Sequence, residues 1–221
     1  MTASAGRALS AIVSELEEDI VFGRLHPRER LVEEVLTERF AAKRHVVRQA
    51  LVELERMGLI ERHRNRGAVV KAYTPEEVQQ LYVVREMLET GAARLIPLPL
   101  PADRIAALEA IQRAHDSAVA AEDMHGVFRA NIAFHRALFS ACDNPYLASA
   151  IEEFAQKTHA IRFYSVVKHT LLIKARDDHR AIIEALRAGD RNRLIELCRD
   201  HLLPSKQSYI AAYRQRFTPV E

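Results

Sequence analysis

Apolar residues recur at helical spacing along almost the whole chain, and only residues 59–71 break the pattern with β-prone runs. A chain patterned in this way must bury helix faces against helix faces, with room for one small hairpin. Leu9, Ile12, Val13, Leu16 and Ile20 follow i, i+3, i+4, i+7 order, and Gly23 is placed to end that helix in the left-handed conformation. Residues 24–30, with Pro27, read as a loop. Leu31, Val35 and Leu36 mark a short second helix, and a third runs from about Lys43 to Met57, closed by Gly58. Residues 59–63 and 68–71 then flank Arg64-Asn65-Arg66-Gly67, where Asn and Gly suit the positive φ of a hairpin tip.

Three helices and a β-hairpin make a winged helix-turn-helix domain over residues 1–72. Thr74 is a good N-cap, Pro75 suits the first helical position and Glu77 completes a capping box, so a second domain, 73–221, begins here. Six long helical patterns follow, at about 75–95, 102–121, 124–141, 145–165, 169–187 and 190–216, with no strand signal between them. The expected architecture is therefore mainly α, an N-terminal winged helix-turn-helix followed by an antiparallel six-helix bundle. No apolar run approaches the roughly 20 residues of a membrane-spanning helix, which argues against a membrane role. The N-terminus lacks a secretory pattern, so the cytoplasm is the expected location. Cys142 and Cys198 are far apart and outside any CxxC spacing, as expected of ordinary reduced thiols.

The formal charge of the 221 residues is only +2, which excludes an indiscriminate polycation. The charge is segregated, however: residues 1–39 carry −3, residues 40–71 carry +5 and the remainder is neutral. Within the basic segment, Lys43, Arg44, His45 and Arg48 occupy the first turns of the third helix. Arg44 and Arg48, four apart, share a face, while Val47, Ala50, Leu51 and Leu54 form the inward one. Such a helix suits insertion into a DNA major groove, and Arg64, Arg66 and Gly67 at the hairpin tip offer a second contact. The alternatives are a solvated basic face and a nonspecific architectural DNA binder.

The run Ile12-x7-Ile20-x2-Gly23-x-Leu25-x-Pro27-x3-Leu31-x3-Val35-Leu36, then Arg44-x2-Val47-Arg48-x-Ala50-Leu51-x2-Leu54-x3-Gly58-Leu59-Ile60 and Asn65-Arg66-Gly67-Ala68-x-Val70, resembles the DNA-binding domain of GntR-type transcriptional regulators. The resemblance covers about 12–71. It implies that Arg44 and Arg48 contact bases and phosphates and that Gly67 sits in the wing. Lys43, His45 and Val46 depart from the family's Ser, Thr and Pro, and Arg28 stands where the family usually has Gly after Pro27.

In the second domain, His135, His179 and His201 each fall on a different helical pattern, with Asn131 one turn before His135. Three imidazoles and an oxygen donor could hold a divalent metal; hydrogen-bonded core histidines are the ordinary alternative. Asn131-x2-Phe134-His135-x2-Leu138, Asp178-His179-x2-Ile182-x2-Ala185-Leu186 and His201-Leu202 are similar to the FCD effector-binding domain of the FadR branch of GntR regulators. That resemblance implies a metal, zinc or nickel, on His135, His179 and His201, with Asn131 where the family usually has Asp. It also implies a carboxylate receptor at Arg85, in a Val84-Arg85-Glu86-Met87-Leu88-Glu89 element; otherwise Arg85 and Glu89 are a helix-surface pair. Tyr82 and Arg162 are further candidates for the pocket wall.

These readings converge on a DNA-binding regulator, a homodimer on a palindromic operator, whose binding responds to a small organic acid held near the metal. The competing class is a metal-dependent hydrolase with an accessory DNA-binding module, for which His115-Asp116 is a lone HD dipeptide. No HExxH, Gly-rich phosphate loop or general base beside the three histidines supports it, so no enzymatic activity is expected.

Overall fold

The computed structural model describes the backbone of residues 3–63, 67–164 and 169–217, and side chains over 6–63, 67–161 and 170–215. It divides into two compact units, residues 1–73 with Gln156–Tyr164, and Thr74–Ala155 with Ser165–Glu221.

The first unit contains α1 (Ala3–Val21), β1 (Arg30–Leu31), α2 (Glu33–Arg39), α3 (Arg44–Arg56), β2 (Ile60–His63) and β3 (Gly67–Val70). Ile12, Leu16 and Ile20 of α1 pack on Val47, Leu51 and Leu54 of α3, and Ile60, Ala68 and Val70 of the sheet close this core. All nine are under a tenth exposed. The sheet differs from the expected hairpin by a third strand, in the order β1-β3-β2, with Arg30 opposite Val69 and Leu31 opposite Ala68. The loop expected at 24–30 is found over 24–29, with a tight turn in which the Glu29 amide donates to the His26 carbonyl at 2.9 Å, and only Arg30 departs from it by starting β1. Arg28 N and Val70 O (2.9 Å), and Val70 N and Glu29 O (2.8 Å), then continue the ladder. Leu31 consequently lies in a strand, and the second helix begins only at Glu33.

The second unit is helical: α4 (Pro75–Leu95), α5 (Ala102–Ala120), α6 (Met124–Ser140), most of α7 (Pro145–Lys157), α9 (His169–Ala188), α10 (Arg191–Asp200) and α11 (Leu203–Phe217). α4 starts on the capping box expected at Thr74 and Glu77, with Pro75 in its first turn. Ile96, Phe134, Leu138, Ile182, Leu186 and Leu194 form the centre of its core. Two of the six helical patterns are each divided. The pattern at 145–165 breaks at Thr158 into α7 and α8 (His159–Tyr164), and α8 belongs to the first unit. There Ile161 is fully buried, and His159 Nδ1 lies 2.6 Å from Glu17 Oε1 of α1. The pattern at 190–216 breaks at His201-Leu202, and Pro204 falls in the first turn of α11. No helix among the described residues is long and apolar enough to cross a membrane. Cys142 and Cys198 are buried and free, and burial pushes the Cys198 thiol far up.

Candidate nucleic-acid interface and metal centre

Helix α3 begins after Lys43, whose extended backbone forms the N-cap. Val46, Val47, Ala50, Leu51 and Leu54 are buried, so the opposite face of the helix is left to Arg44, His45 and Arg48. The side chains of Arg44 and Arg48 are 60% and 58% exposed, and both reach one carboxylate, Glu33 at the start of α2. Arg44 Nε donates to Glu33 Oε2 at 3.1 Å and Arg48 Nε at 2.9 Å. Burial opposes ionisation of Glu33, but the hydrogen bonds from Arg48 and Arg44 outweigh it and hold the carboxyl below its usual range. The two guanidinium groups are thereby gathered to one spot on the exposed face. Gly67 begins β3 at φ +80° with Arg30 of β1 nearby, a cation that a two-residue strand does not announce in sequence. Arg64 and Arg66 lie outside the described residues.

In the second unit, α6, α9 and the C-cap of α10 bring His135, His179 and His201 together, with one ligand nitrogen from each within 4.8 Å of the others. His179 is fully buried and His135 nearly so. The Phe134 ring stacks on His179 at a centroid distance of 3.9 Å and gives the cluster an apolar wall.

Neighbouring groups fix which nitrogens point inward. Asp178, held ionised against burial by hydrogen bonds from His201 and Lys174, accepts from His201 Nδ1 at 3.2 Å. A carboxylate only accepts, so the His201 proton is on Nδ1 and its Nε2 presents a lone pair. That Nε2 is 3.2 Å from His135 Nε2. Two imidazole nitrogens so placed are separated much as they are around one tetrahedral zinc at roughly 2.0–2.1 Å from each. His179 Nδ1 is likewise engaged, 3.1 Å from Gln112 Oε1 of α5. The donor set and its orientation therefore fit a divalent metal. Asn131 is buried on the α6 face that carries His135, consistent with the i, i+4 spacing. Gln112 had no signal in the sequence, since it meets His179 from 67 residues away.

Arg85 and Glu89 form a 2.8 Å ion pair, each side chain 2% exposed, so the alternative of a helix-surface pair is overturned by burial. The Arg85 guanidinium lies over the Tyr82 ring at 5.1 Å, and Tyr82 Oη is 2.9 Å from Ser205 Oγ. The side chain of Arg162 lies outside the described ones. His115, of the HD dipeptide, is not among the three clustered histidines. It is buried against His179, its Nδ1 makes no hydrogen bond among the described residues, and burial pushes its pKa down to about 4.

Residues 9–70 match the model of bacterial regulatory proteins of the gntR family, and residues 80–203 match the FCD domain. The chain is 31% identical over 193 residues to the transcriptional regulator LutR of Bacillus subtilis, covering 76% of this chain and 85% of LutR. It is 26% identical over 199 residues to the transcriptional repressor GlaR of Escherichia coli, covering 85% and 89%. In fold it is similar to a GntR transcriptional regulator structure from Rhodococcus sp. RHA1, with a TM-score of 0.78, 24% identity, and coverage of 96% of this chain and 100% of that one. These relatives are regulators, and none of them supports the hydrolase alternative.

Proposed function

Since the chain belongs to the gntR family of transcriptional regulators and carries an FCD domain, we propose that it is a repressor whose operator binding is set by a small carboxylate held beside a metal. The observation that carries this reading is one chain holding both an exposed arginine pair on a recognition helix and three converging buried imidazoles. On DNA, the forks of Arg44 and Arg48 read base edges while Lys43, His45, Arg64 and Arg66 neutralise phosphates, with Gly67 in the wing. One such helix covers too little sequence for specificity, so a homodimer on a palindrome is required. GlaR, named as a repressor, supports repression as the sense of regulation.

In the FCD domain His135, His179 and His201 would hold the ion, zinc or nickel, with the Asn131 amide oxygen as a further donor. A divalent metal there supplies a cationic acceptor for an anionic oxygen. None of these four side chains is negatively charged, and Asp178 is already occupied by His201 and Lys174, which leaves charge for an acid to balance. Arg85, Tyr82 and Arg162 would line the acid's site. Arg85 would have to share its guanidinium with Glu89. The site of action is the cytoplasm, where operator and metabolite meet. A thermal-shift screen of small carboxylic acids on zinc- or nickel-loaded protein tests the reading, with His179→Ala as control. At least one acid should raise the melting temperature of the wild type alone; no acid doing so, or equal shifts in the variant, would overturn it.

A further inference from the structure

Gln112 is almost fully buried on α5 and makes three hydrogen bonds, two of them donated by Nε2, one of which goes to the Arg176 carbonyl at 3.5 Å. Its Nε2 donates to Asp116 Oδ1 at 2.7 Å, so its Oε1 is left to face His179 Nδ1 at 3.1 Å. Asp116 is in turn held by Arg180, whose Nη2 donates to Asp116 Oδ2 at 2.7 Å. Polarity therefore runs in one direction from surface to interior. The Arg180 cation fixes a carboxylate, the carboxylate can only accept and so fixes the orientation of the Gln112 amide, and the amide oxygen requires a proton on His179 Nδ1.

From this geometry we infer that Gln112 is a positioning residue, and Asp116 its anchor, for a metal bound by the three histidines. Together they hold His179 in the tautomer whose Nε2 lone pair is available to the ion. The inference rests on the metal reading of the site and assigns a role to the Asp of the HD dipeptide that needs no catalysis. A hydrogen bond on the far nitrogen of a ligating imidazole also makes the ligand more basic and fixes its ring plane.

The test uses the full chain and Zn²⁺ as probe, with calorimetric affinity and the ¹⁵N signals of the histidine rings of the metal-free protein as readouts. Gln112→Met keeps the volume and removes the acceptor. It should lower zinc affinity by about ten- to a hundred-fold and abolish the Nδ1-protonated signature of His179. Asp116→Ala acts from the partly exposed end without touching His179, and should lower affinity in the same direction. The double variant Gln112→Glu/Asp116→Asn exchanges donor and acceptor along the same path and should keep both affinity and tautomer near wild type, whereas the loss of the His179 tautomer in Gln112→Met is a readout that a packing role would not move. Wild-type zinc affinity and an unchanged His179 tautomer in a folded Gln112→Met protein would overturn the inference, as would a folded double variant that keeps neither. If the wild type binds no zinc, the metal reading fails, and the inference about binding fails with it. The tautomer readout then reports separately whether Gln112 sets His179.

Discussion

Glu33 draws Arg44 and Arg48 to a single carboxylate on the surface that the regulator would present to DNA. Removing that charge has two opposed effects. The exposed ion pairs contribute under about 1 kcal/mol to stability, so Glu33→Gln should barely change the melting temperature. It also removes a negative charge that repels phosphates, so affinity for random-sequence duplex should rise, measurably by fluorescence anisotropy at fixed salt. Unchanged or weaker binding would contradict this placement. Arg28 sits at φ +70° at the third position of the turn that begins at His26, after Pro27, where a type II turn favours glycine. Arg28→Gly should therefore stabilise the fold by up to about 1 kcal/mol, read in denaturant melts. The sequence marked this position as a departure, and the structure supplies its conformational reason.

His115 illustrates a pH dependence whose sign follows from burial. Its folded pKa, about 4, lies below the ordinary histidine value. Neutral His115 therefore costs nothing above the unfolded pKa of about 6.5, and stability is lost as pH falls from there towards 4 because the unfolded chain takes up the proton first. Metal-free wild type should show this loss in thermal melts, and His115→Phe should show a shallower slope over the same window.

At the scale of elements, helix faces and caps were legible because each rests on local spacing: the inward residues of α3 and the capping box of α4 lie where periodicity and capping chemistry place them. What was illegible depends on partners distant in sequence. β1 is two residues long and exists only because β3 offers it a ladder. The break between α10 and α11 did have a local signal, Pro204, which fits a helix start and not a helix interior. α8 had none, since a helical pattern does not say which unit it packs on. Its His159 and Glu17 form a nearly buried pair with α1, so His159→Ala should destabilise the first unit by about 1–3 kcal/mol by leaving Glu17 unsatisfied. Denaturant unfolding measures this; a change within a few tenths would mean that α8 adds little to the winged-helix core.

For the whole molecule, the near-zero charge total conceals a basic recognition segment followed by a neutral helical domain, and the family match assigns them to DNA binding and to the FCD domain. Which histidines converge was readable from the resemblance. How they are oriented was not, because Gln112 and Asp178 act through contacts that only the tertiary packing creates. The most direct test of the central claim is selection from a random duplex pool by metal-loaded protein, followed by the affinity for the selected sequence with and without a stabilising carboxylate. A single palindrome should emerge, bound far more weakly by Arg44→Ala and Arg48→Ala, with wild-type affinity reduced by the acid and His179→Ala insensitive to it. Enrichment of no sequence, or a selected site whose affinity neither arginine variant nor any acid alters, would contradict that claim.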